Sequence, residues 1–524
     1  MRHYDVIIIG SGINSLSSAA LLGKAKKKVL VLEARDTIGG LASTIEFSPG
    51  FRCNAIIDSI KWINPNLFSE LDINSNNLNI IKPNISHIAL GDHKNPIFFH
   101  RDANKTSESI QNFSAKDATK WDSFISYIKK LTDFLEPLYN STPPCLPKAS
   151  IKDLLSMRSM LRPIFKHGTQ GTVDLLRAVP MMMPEMMDEW FENELLRSAL
   201  STSGICNSSL GPFSASTAYN FLHQHLYSNG VILANNFIDG GTIEFANTLA
   251  KTAKFHNVEI QIGSEVESIK IENNYSKGVL LKSGEFISSE IVVSGTDPKN
   301  TFIKLTGPQK LNPTFLNQLS NIKYRGSVAR IHFALKDLPN IKGVAQDEMK
   351  TIFSISPSIE YLEKASDSMK YGNIAKNPYL EFCFPSIINN NFAPKGKHVL
   401  SATFQYAPYK LRNRVWDKDS KNELKNNTIK GIERSIPNLT ELIEDSLVHS
   451  PKDLENEFSL SEGNVNHGEM TLDQFMFMRP TMSCSQYNTP IENLYLCGPG
   501  THPGGGLHGT NALNAVREIL QNEL

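Results

Sequence analysis

The N-terminal segment contains a strand–turn–helix–strand pattern, which constrains the fold more than any other feature of the chain. Residues 4–9 form an apolar, β-branched run that ends in glycine, as is typical of a strand buried on both faces of a parallel sheet. Residues 13–22 have helical periodicity, and residues 28–32 form a second short apolar run. The first 33 residues therefore predict a β-α-β unit with a right-handed crossover.

The loop between the first strand and the helix has the spacing of a dinucleotide-binding turn. Gly10 permits the tight turn, Gly12 lets backbone amides approach a pyrophosphate, and Ser15 stands where a third glycine is usual but is still small enough for close packing. The N-terminus of the helix would face the anion with unpaired amides. The residues of this loop that we expect to contact the cofactor are Gly10, Gly12, Ile13, Asn14 and Ser15.

Glu33 ends the second strand, where an acidic side chain can accept hydrogen bonds from a ribose hydroxyl. Strand, turn, helix, strand and acid in this order make a structural coincidence improbable. The pattern indicates a dinucleotide, and it leaves open which one.

Composition limits the partners. The chain has 524 residues, enough for two or three domains, and its 53 Lys plus Arg balance its 53 Asp plus Glu, so that nucleic acid is not an expected partner. The six cysteines are scattered without metal-ligand spacing, and we expect no metal site.

The start of the chain leaves no room for a signal peptide, so a cytoplasmic location is expected. No apolar run is long enough to span a membrane, which would restrict membrane contact to the periphery.

The strand and helix patterns predict a discontinuous dinucleotide-binding domain. The strand and helix pattern of this domain returns after Gly240 and again near the end of the chain. The residues between these parts are first helix-rich and then rich in strand candidates of a mainly antiparallel sheet. The fold class expected is α/β, a Rossmann-like doubly wound domain with an inserted α+β substrate domain. The predicted boundaries are 1–81, 230–305 and 485–524 for the dinucleotide-binding domain, 82–229 for the helix-rich insertion and 306–484 for the substrate-binding domain.

The segment after the second strand, Glu33-Ala-Arg-Asp-Thr-Ile-Gly-Gly40, resembles the corresponding segment of glutathione-reductase-type flavoproteins, amine oxidases and carotenoid desaturases. In that group the arginine and the glycine pair lie along the pyrophosphate and ribityl chain of FAD. The resemblance implies FAD as the cofactor and the following contacts: Glu33, Ala34, Arg35, Gly39 and Gly40.

Three later motifs resemble phytoene-desaturase-like flavoproteins and carotenoid isomerases, in the branch that includes the pyridine nucleotide-disulfide oxidoreductase domain-containing protein 2 group. They are residues 466–474, Arg479-Pro480 and the glycine-rich loop 496–506. The middle segment, residues 239–267 and 292–298, also resembles phytoene-desaturase-like flavoproteins and implies backbone contacts to adenine near Val266. The later motifs imply a loop 498–509 beside the isoalloxazine ring and closing-helix amides at its pyrimidine edge. His508 and Asn511 depart from the branch pattern. The implied contacts in this region are Gly498, Gly500, Thr501, Thr510, Asn511 and Ala512.

Two histidines are candidate catalytic residues. The imidazole of His502 could exchange a proton beside the flavin near neutral pH, or it could simply hold the Pro-Gly-Gly-Gly loop in place. His467 has the same two interpretations, whereas Glu469 is more simply structural.

The resemblance implies an FAD-dependent oxidoreductase of the desaturase or isomerase type, which passes hydride from CH–CH bonds of a long apolar or polyene, carotenoid-like substrate to flavin. The sequence names no electron acceptor; oxygen or a quinone would serve. A second glycine loop for NAD(P) and a redox-active cysteine pair are both absent, which argues against a disulfide reductase. The alternatives are a flavin-dependent amine oxidase and a low-turnover flavoprotein that acts as an interaction subunit.

Two further segments have open interpretations. The Met-rich stretch 180–187 suits a substrate channel, a lipid-facing rim or, more simply, a packed core. The basic stretch 151–166 is either an interfacial helix or a solvated face.

Overall fold

Two seven-stranded sheets organise the computed structural model, which describes residues 2–91, 95–145 and 157–522. The strands are β1 (His3–Ile9), β2 (Val29–Leu32), β3 (Thr44–Ser48), β4 (Phe51–Asn54), β5 (Ile80–Ile81), β6 (Ile85–Leu90), β7 (Ile97–His100), β8 (Phe237–Ile238), β9 (Glu259–Gln261), β10 (Val266–Glu272), β11 (Tyr275–Leu281), β12 (Phe286–Ser294), β13 (Val328–Leu335), β14 (Ile352–Ile355), β15 (Tyr379–Cys383), β16 (His398–Gln405), β17 (Ile443–His449) and β18 (Leu494–Leu496). The α-helices are Ile13–Lys24, Pro65–Glu70, Ala103–Gln111, Ala115–Tyr139, Leu161–Ala178, Met183–Trp190, Glu194–Ile205, Thr217–Gln224, Ile243–Phe255, Pro313–Asn321, Ile359–Lys370, Pro385–Ile388, Lys418–Glu433, Leu439–Leu442, Pro451–Phe458 and Thr510–Asn522.

The first sheet is built on β1. Strand β1 pairs in parallel with β2 and β12, β2 pairs with β9, and β12 pairs with β18, while β10 and β11 extend the other edge as antiparallel strands. Its strands come from three separated parts of the chain, which confirms the α/β, doubly wound class predicted from the sequence. The boundaries drawn between the domains stay a prediction.

Helices cover one face of this sheet. Leu16, Ala19 and Ala20 of the first helix lie in a buried cluster with apolar residues of the helices Ile243–Phe255 and Thr510–Asn522. The two alanines allow the neighbouring helices to approach closely. The last helix is therefore packed beside the first one, which brings the residues that precede it close to the glycine turn.

The second sheet has the strand order β17-β13-β16-β15-β14-β6-β7 and is mainly antiparallel, as predicted, with one parallel pair between β6 and β14. Strands β6 and β7 come from the stretch expected to be helix-rich, so this part of the prediction was incomplete. Strand β6 is fully buried but interrupted by polar residues that bond inside the protein, which hides its apolar pattern. The Ser86 hydroxyl donates to the Phe99 carbonyl (3.0 Å), and His87 Nε2 lies 2.7 Å from Ser354 Oγ.

The Met-rich stretch belongs to a helical core. Met183, Met186 and Met187 are at most 1% exposed and pack with Trp121 and Phe124 of the long helix Ala115–Tyr139. Core packing, the simplest of the three interpretations, therefore accounts for these side chains. The basic stretch lies only partly inside the described residues, because 151–156 fall outside them. In the described ranges no helix is both long enough and apolar enough to cross a membrane.

Candidate functional site

A deep cleft opens at the carboxyl ends of β1 and β2, where parallel sheets of this class hold ligands. Ile9 and Leu32, the last residues of these strands, line it. The opposite walls come from loops far apart in the sequence. They are residues 57, 59–62, 206–207, 223–224, 457–460, 465–467 and 505–508.

Two glycine-containing turns form the floor of the cleft. Gly10 has φ +90°, and the Gly39 amide donates to the Ser11 carbonyl at 3.0 Å. A Cβ on Gly40 would lie 3.3 Å from the Cα of Gly12, whereas a Cβ on Gly12 would meet nothing within 4 Å. Gly12 therefore leaves a space in the cleft that any side chain would fill.

Glu33 is held rigidly at the end of β2. One carboxylate oxygen accepts hydrogen bonds from the Ser11 amide (2.8 Å) and the Ser11 hydroxyl (2.5 Å), and the other accepts from the Arg35 amide (3.0 Å). The side chain lines the cleft although the residue is only 8% exposed. A fixed, buried carboxylate at this point retains free lone pairs for a hydroxyl of a ligand.

The third position of the turn shows why serine replaces glycine. A Cβ built on Gly295, at the end of β12, would lie 1.9 Å from Ser15 Oγ. Ser15 is thus in close contact with the neighbouring strand end, and Gly295 supplies the space. No described side chain caps the helix that starts at Ile13, so its first backbone amides remain available to a ligand.

The other residues predicted from the N-terminal motif, and Val266, also line the cleft. The Arg35 guanidinium lies 4.4 Å above the ring of Phe458 and donates to Ser43 Oγ (3.3 Å). Val266 opens β10 at the edge of the cleft. The predicted residues that line the cleft are Gly10, Gly12, Ile13, Asn14, Ser15, Glu33, Ala34, Arg35, Gly39, Gly40, Val266 and His467.

Three buried polar atoms of the lining have no hydrogen-bond partner among the described residues: Asn14 Oδ1, Asn300 Oδ1 and His467 Nδ1. Buried polar groups are rarely left unpaired in a folded protein, so each needs a ligand atom or water. Together with the open space at Gly12 and the carboxylate of Glu33, they fit a bound dinucleotide such as FAD.

Asn511 holds the glycine-rich loop 498–509, which we call the closing loop, in place. The Asn511 side-chain amide lies within 3.0–3.4 Å of the carbonyl oxygens of Gly498, Thr501, His502 and Gly504. Six residues predicted to contact the cofactor are not among the cleft-lining residues: Gly498, Gly500, Thr501, Thr510, Asn511 and Ala512. The loop instead presents Pro499 and residues 505–508 to the cleft. The Thr510 amide already donates to His508 Nδ1 (3.2 Å).

The two candidate catalytic histidines are placed differently. His502 is 1% exposed and outside the cleft lining, and its Nε2 lies 3.2 Å from the Leu138 carbonyl, an arrangement that holds the loop against the helix Ala115–Tyr139. His467 lines the cleft. Burial lowers the pKa of both imidazoles to about 4, so both are neutral at physiological pH. Glu469 accepts hydrogen bonds from Arg325 and Ser209, as a structural residue would.

An aromatic cluster lies at one wall of the cleft, where Trp62, His223 and His508 line it, and this cluster was not predicted from the sequence. We define it as Trp62, Tyr139, His223, Tyr227 and His508. The rings of Trp62 and His508 stack with centroids 4.3 Å apart and an interplanar angle of 3°. The Trp62 indole donates to the His223 carbonyl (2.8 Å), and both imidazoles of the cluster bond to the Gly505 carbonyl.

The aromatic cluster carries no charge at neutral pH. Burial lowers the pKa of His223 to about 4 and that of His508 to about 3, and burial raises the pKa of Tyr227 to about 12. This wall is therefore a neutral and largely dehydrated surface. The only signal of it in the sequence was the departure of His508 from the branch pattern.

Comparison with curated proteins gives full-length relatives. The chain is 29% identical to the rat pyridine nucleotide-disulfide oxidoreductase domain-containing protein 2 over 99% of this chain and 94% of the relative. It is 24% identical to a limonene dehydrogenase subunit of Castellaniella defragrans over 100% of this chain and 95% of the relative. It is also 24% identical to a phytoene desaturase of Fusarium fujikuroi, over 96% of this chain and 86% of the relative.

Solved structures share the fold. An oxidoreductase from Methanosarcina mazei superposes with a TM-score of 0.62 at 15% identity, covering 98% of this chain and 99% of the other. A variant of putrescine oxidase superposes with a TM-score of 0.60 at 13% identity, covering 99% and 98%. Residues 16–520 match the family described as flavin containing amine oxidoreductase. The chain therefore belongs to the flavin-containing amine oxidoreductase family, and its cofactor is FAD.

Proposed function

We propose that this chain is an FAD-dependent dehydrogenase of the desaturase type, which acts on CH–CH bonds of a long apolar or polyene, carotenoid-like substrate. The observation that carries the proposal is the neutral aromatic cluster on one wall of the cofactor cleft. Such a wall suits an apolar substrate and a dry reaction. The names of two relatives, a limonene dehydrogenase and a phytoene desaturase, support the same function.

The cleft-lining residues would hold FAD from the sheet side. The helix that begins at Ile13 would face the pyrophosphate, Glu33 would accept from the ribose, and Arg35 would lie along the chain that joins the two halves. The lining at Val266 would contact adenine, and residues 505–508 would border the flavin ring. His467 would offer its unpaired Nδ1 to the cofactor or the substrate.

When bound, FAD supplies the acceptor for hydride, so the protein needs no nucleophile of its own. The aromatic cluster would exclude water and keep the substrate carbon close to that acceptor. His502 would fix the loop rather than move a proton, since its Nε2 is bonded to the Leu138 carbonyl. Oxygen or a quinone would reoxidise the flavin.

A flavin-dependent amine oxidase is the alternative with the same scaffold. An aromatic cage would need two separated ring faces, but Trp62 and His508 stack directly at 4.3 Å and leave no gap between them. This observation favours the dehydrogenase.

Anaerobic reduction of the bound flavin tests the proposal. The holoprotein is mixed without oxygen with phytoene, with putrescine and with NADPH, and flavin bleaching is followed in the visible spectrum. We expect bleaching by an apolar polyene, whether hydrocarbon or oxygenated, and none by putrescine or NADPH. Rapid bleaching by putrescine would contradict the dehydrogenase, and rapid bleaching by NADPH alone would indicate a nicotinamide site. Stable FAD that no compound reduces would favour an interaction subunit.

A further inference from the structure

A polar patch interrupts the apolar wall of the cleft beside the aromatic cluster. Ser59 and Lys61 both line the cleft, and Lys61 precedes Trp62 in the chain. The Ser59 hydroxyl and the Lys61 ammonium each donate to Asn235 Oδ1 at 2.7 Å. Two side chains of different length thus donate to the same buried oxygen atom of Asn235.

Asn235 holds this patch in a fixed position. The residue is fully buried, and its side-chain NH₂ donates to the carbonyl oxygens of Ser86 (3.0 Å) and Leu233 (3.1 Å). Both ends of the amide are therefore bonded, which sets its orientation. Ser59 and Lys61 are anchored to the frame of the second sheet rather than to solvent.

The positive charge of Lys61 is already balanced. Glu381 lies 3.5 Å from Lys61 Nζ, and both side chains are about one-fifth exposed, at 18% and 20%. Burial alone would raise the pKa of Glu381, but the Lys61 ammonium and neighbouring hydrogen bonds hold it below its ordinary value. Glu381 is therefore ionised, and the pair has no net charge.

One N–H donor of the Lys61 ammonium group has no acceptor among the described residues. An ammonium group has three donors, and Asn235 and Glu381 take two of them. A pure hydrocarbon in the cleft would bury the third donor without a partner, which is costly. A ligand carboxylate would add a second negative charge beside Glu381, and a ligand ammonium has no lone pair with which to accept the hydrogen bond.

We propose that Lys61 donates to a neutral carbonyl oxygen of the substrate, so that the substrate is an oxygenated apolar molecule rather than a pure hydrocarbon. This assignment rests on the proposed function, because it places an apolar substrate against the aromatic cluster. Lys61 then determines specificity: it anchors the one polar end of the substrate while the apolar part lies along the neutral rings.

Matched isoprenoid probes test this assignment without turnover. Holoprotein is titrated with geranylacetone, a ketone, with β-farnesene, a hydrocarbon, and with farnesoic acid, a carboxylate, and binding is read from the visible spectrum of the bound flavin. Wild-type protein should bind the ketone about tenfold more tightly than the hydrocarbon, as a hydrogen bond to a charged donor would give. The carboxylate should bind no better than the ketone.

Variants locate the effect. Lys61→Met should remove the preference for the ketone and leave the affinity for β-farnesene unchanged, whereas Lys61→Arg, which keeps the donors and the charge, should retain part of it. The matched control is Lys251→Met, a change at an exposed lysine on the helix Ile243–Phe255. FAD content and circular dichroism confirm that each variant is folded.

The wild-type comparison alone can overturn the assignment, even where a variant fails to fold. Equal affinity for ketone and hydrocarbon, or a preference for the ketone that survives in Lys61→Met, contradicts the role of Lys61 and leaves the proposed function standing. Failure of every apolar probe to perturb the flavin spectrum contradicts both. Tighter binding of farnesoic acid than of the ketone would show that the patch recognises an anion, which also overturns the assignment.

Discussion

The carbonyl group of Gly505 is the meeting point of two imidazoles. His223 Nε2 lies 2.8 Å and His508 Nε2 lies 3.1 Å from this oxygen, and each ring can donate there as a neutral tautomer. The other nitrogen of His508 accepts from the Thr510 amide, and His223 Nδ1 lies 3.0 Å from the Tyr139 hydroxyl. This single carbonyl joins the loop that precedes the last helix to the aromatic cluster.

The buried histidines predict a loss of stability in acid. Their folded pKa values, about 4 for His223 and about 3 for His508, lie below the ordinary value of about 6.5. Between these pH values the unfolded chain binds more protons than the folded protein. The free energy of unfolding therefore has its full value above about pH 6.5 and falls as the pH drops from there toward the folded pKa values. Each histidine contributes a slope of about 1.4 kcal/mol per pH unit.

Urea unfolding at several pH values between about 4 and about 7.5 measures this slope. His508→Phe removes one titrating group and keeps a ring against Trp62. The free energy of unfolding of this variant should therefore depend less steeply on pH, by an amount that corresponds to about one proton. An identical slope in the variant and the wild type would contradict the lowered pKa of His508, because it would mean that the imidazole binds its proton equally well in the folded and unfolded states.

Arg479 predicts a large destabilisation on truncation. The guanidinium is 1% exposed and donates to the carbonyl oxygens of Asn466, Gly468, Glu469 and Pro499. Arg479→Met would leave these buried acceptors unpaired and should lower the free energy of unfolding by about 3 kcal/mol or more.

Arg479→Lys should restore little of this loss, because an ammonium cannot reproduce the planar fork. Urea unfolding and FAD content are the measurements, with Arg52→Met at an exposed position as the control. Near-wild-type stability of Arg479→Met would mean that water replaces the guanidinium.

At the scale of elements, the glycine turns predict a change that spares the fold. A Cβ on Gly12 would meet no protein atom within 4 Å, so Gly12→Ala should fold normally while its methyl group occupies the space assigned to the pyrophosphate. We expect FAD affinity to fall at least tenfold, measured by flavin fluorescence on titration of apoprotein. Unchanged FAD affinity with unchanged stability would place the pyrophosphate elsewhere.

The helical segment Leu161–Ala178, which is broken at Gly168, is an unusual surface element, because its exposed residues include large apolar ones. Phe165 is 84% and Leu176 69% exposed, and the exposed basic side chains of Arg158 and Arg162 lie in or just before the helix. We propose a peripheral contact with an anionic membrane surface, which such a combination favours. Phe165→Glu should reduce co-sedimentation with phosphatidylserine vesicles several-fold.

The matched control is Thr169→Glu, which adds the same charge at an exposed polar position of that helix. The contact is contradicted if both variants and the wild type sediment equally with anionic and neutral vesicles.

Local elements were predictable and the walls of the cleft were not. The strands β1 and β2 and the helix Ile13–Lys24 lie within a few residues of their predicted positions, because each has its own apolar period. Trp62, His223 and residues 505–508 lie in loops or at a helix end, and only long-range contacts bring them together. The family motif marked the glycines of the closing loop, but the motif cannot distinguish residues that line the cleft from Asn511, which supports them from behind.

At the scale of the whole molecule, the cleft joins two sheets of different kinds. The first sheet and the loops that follow its strands supply the glycine turn, Glu33 and His508. Lys61 and Trp62 instead contact residues of the second sheet. Both sheets therefore contribute to the wall that carries the aromatic cluster.

The visible spectrum of the purified protein tests the central claim most directly. If the cleft holds FAD, the protein should show flavin absorbance bands and release about one FAD per chain on denaturation, or regain both after incubation with FAD. A folded, colourless protein that cannot be reconstituted with FAD would contradict the account.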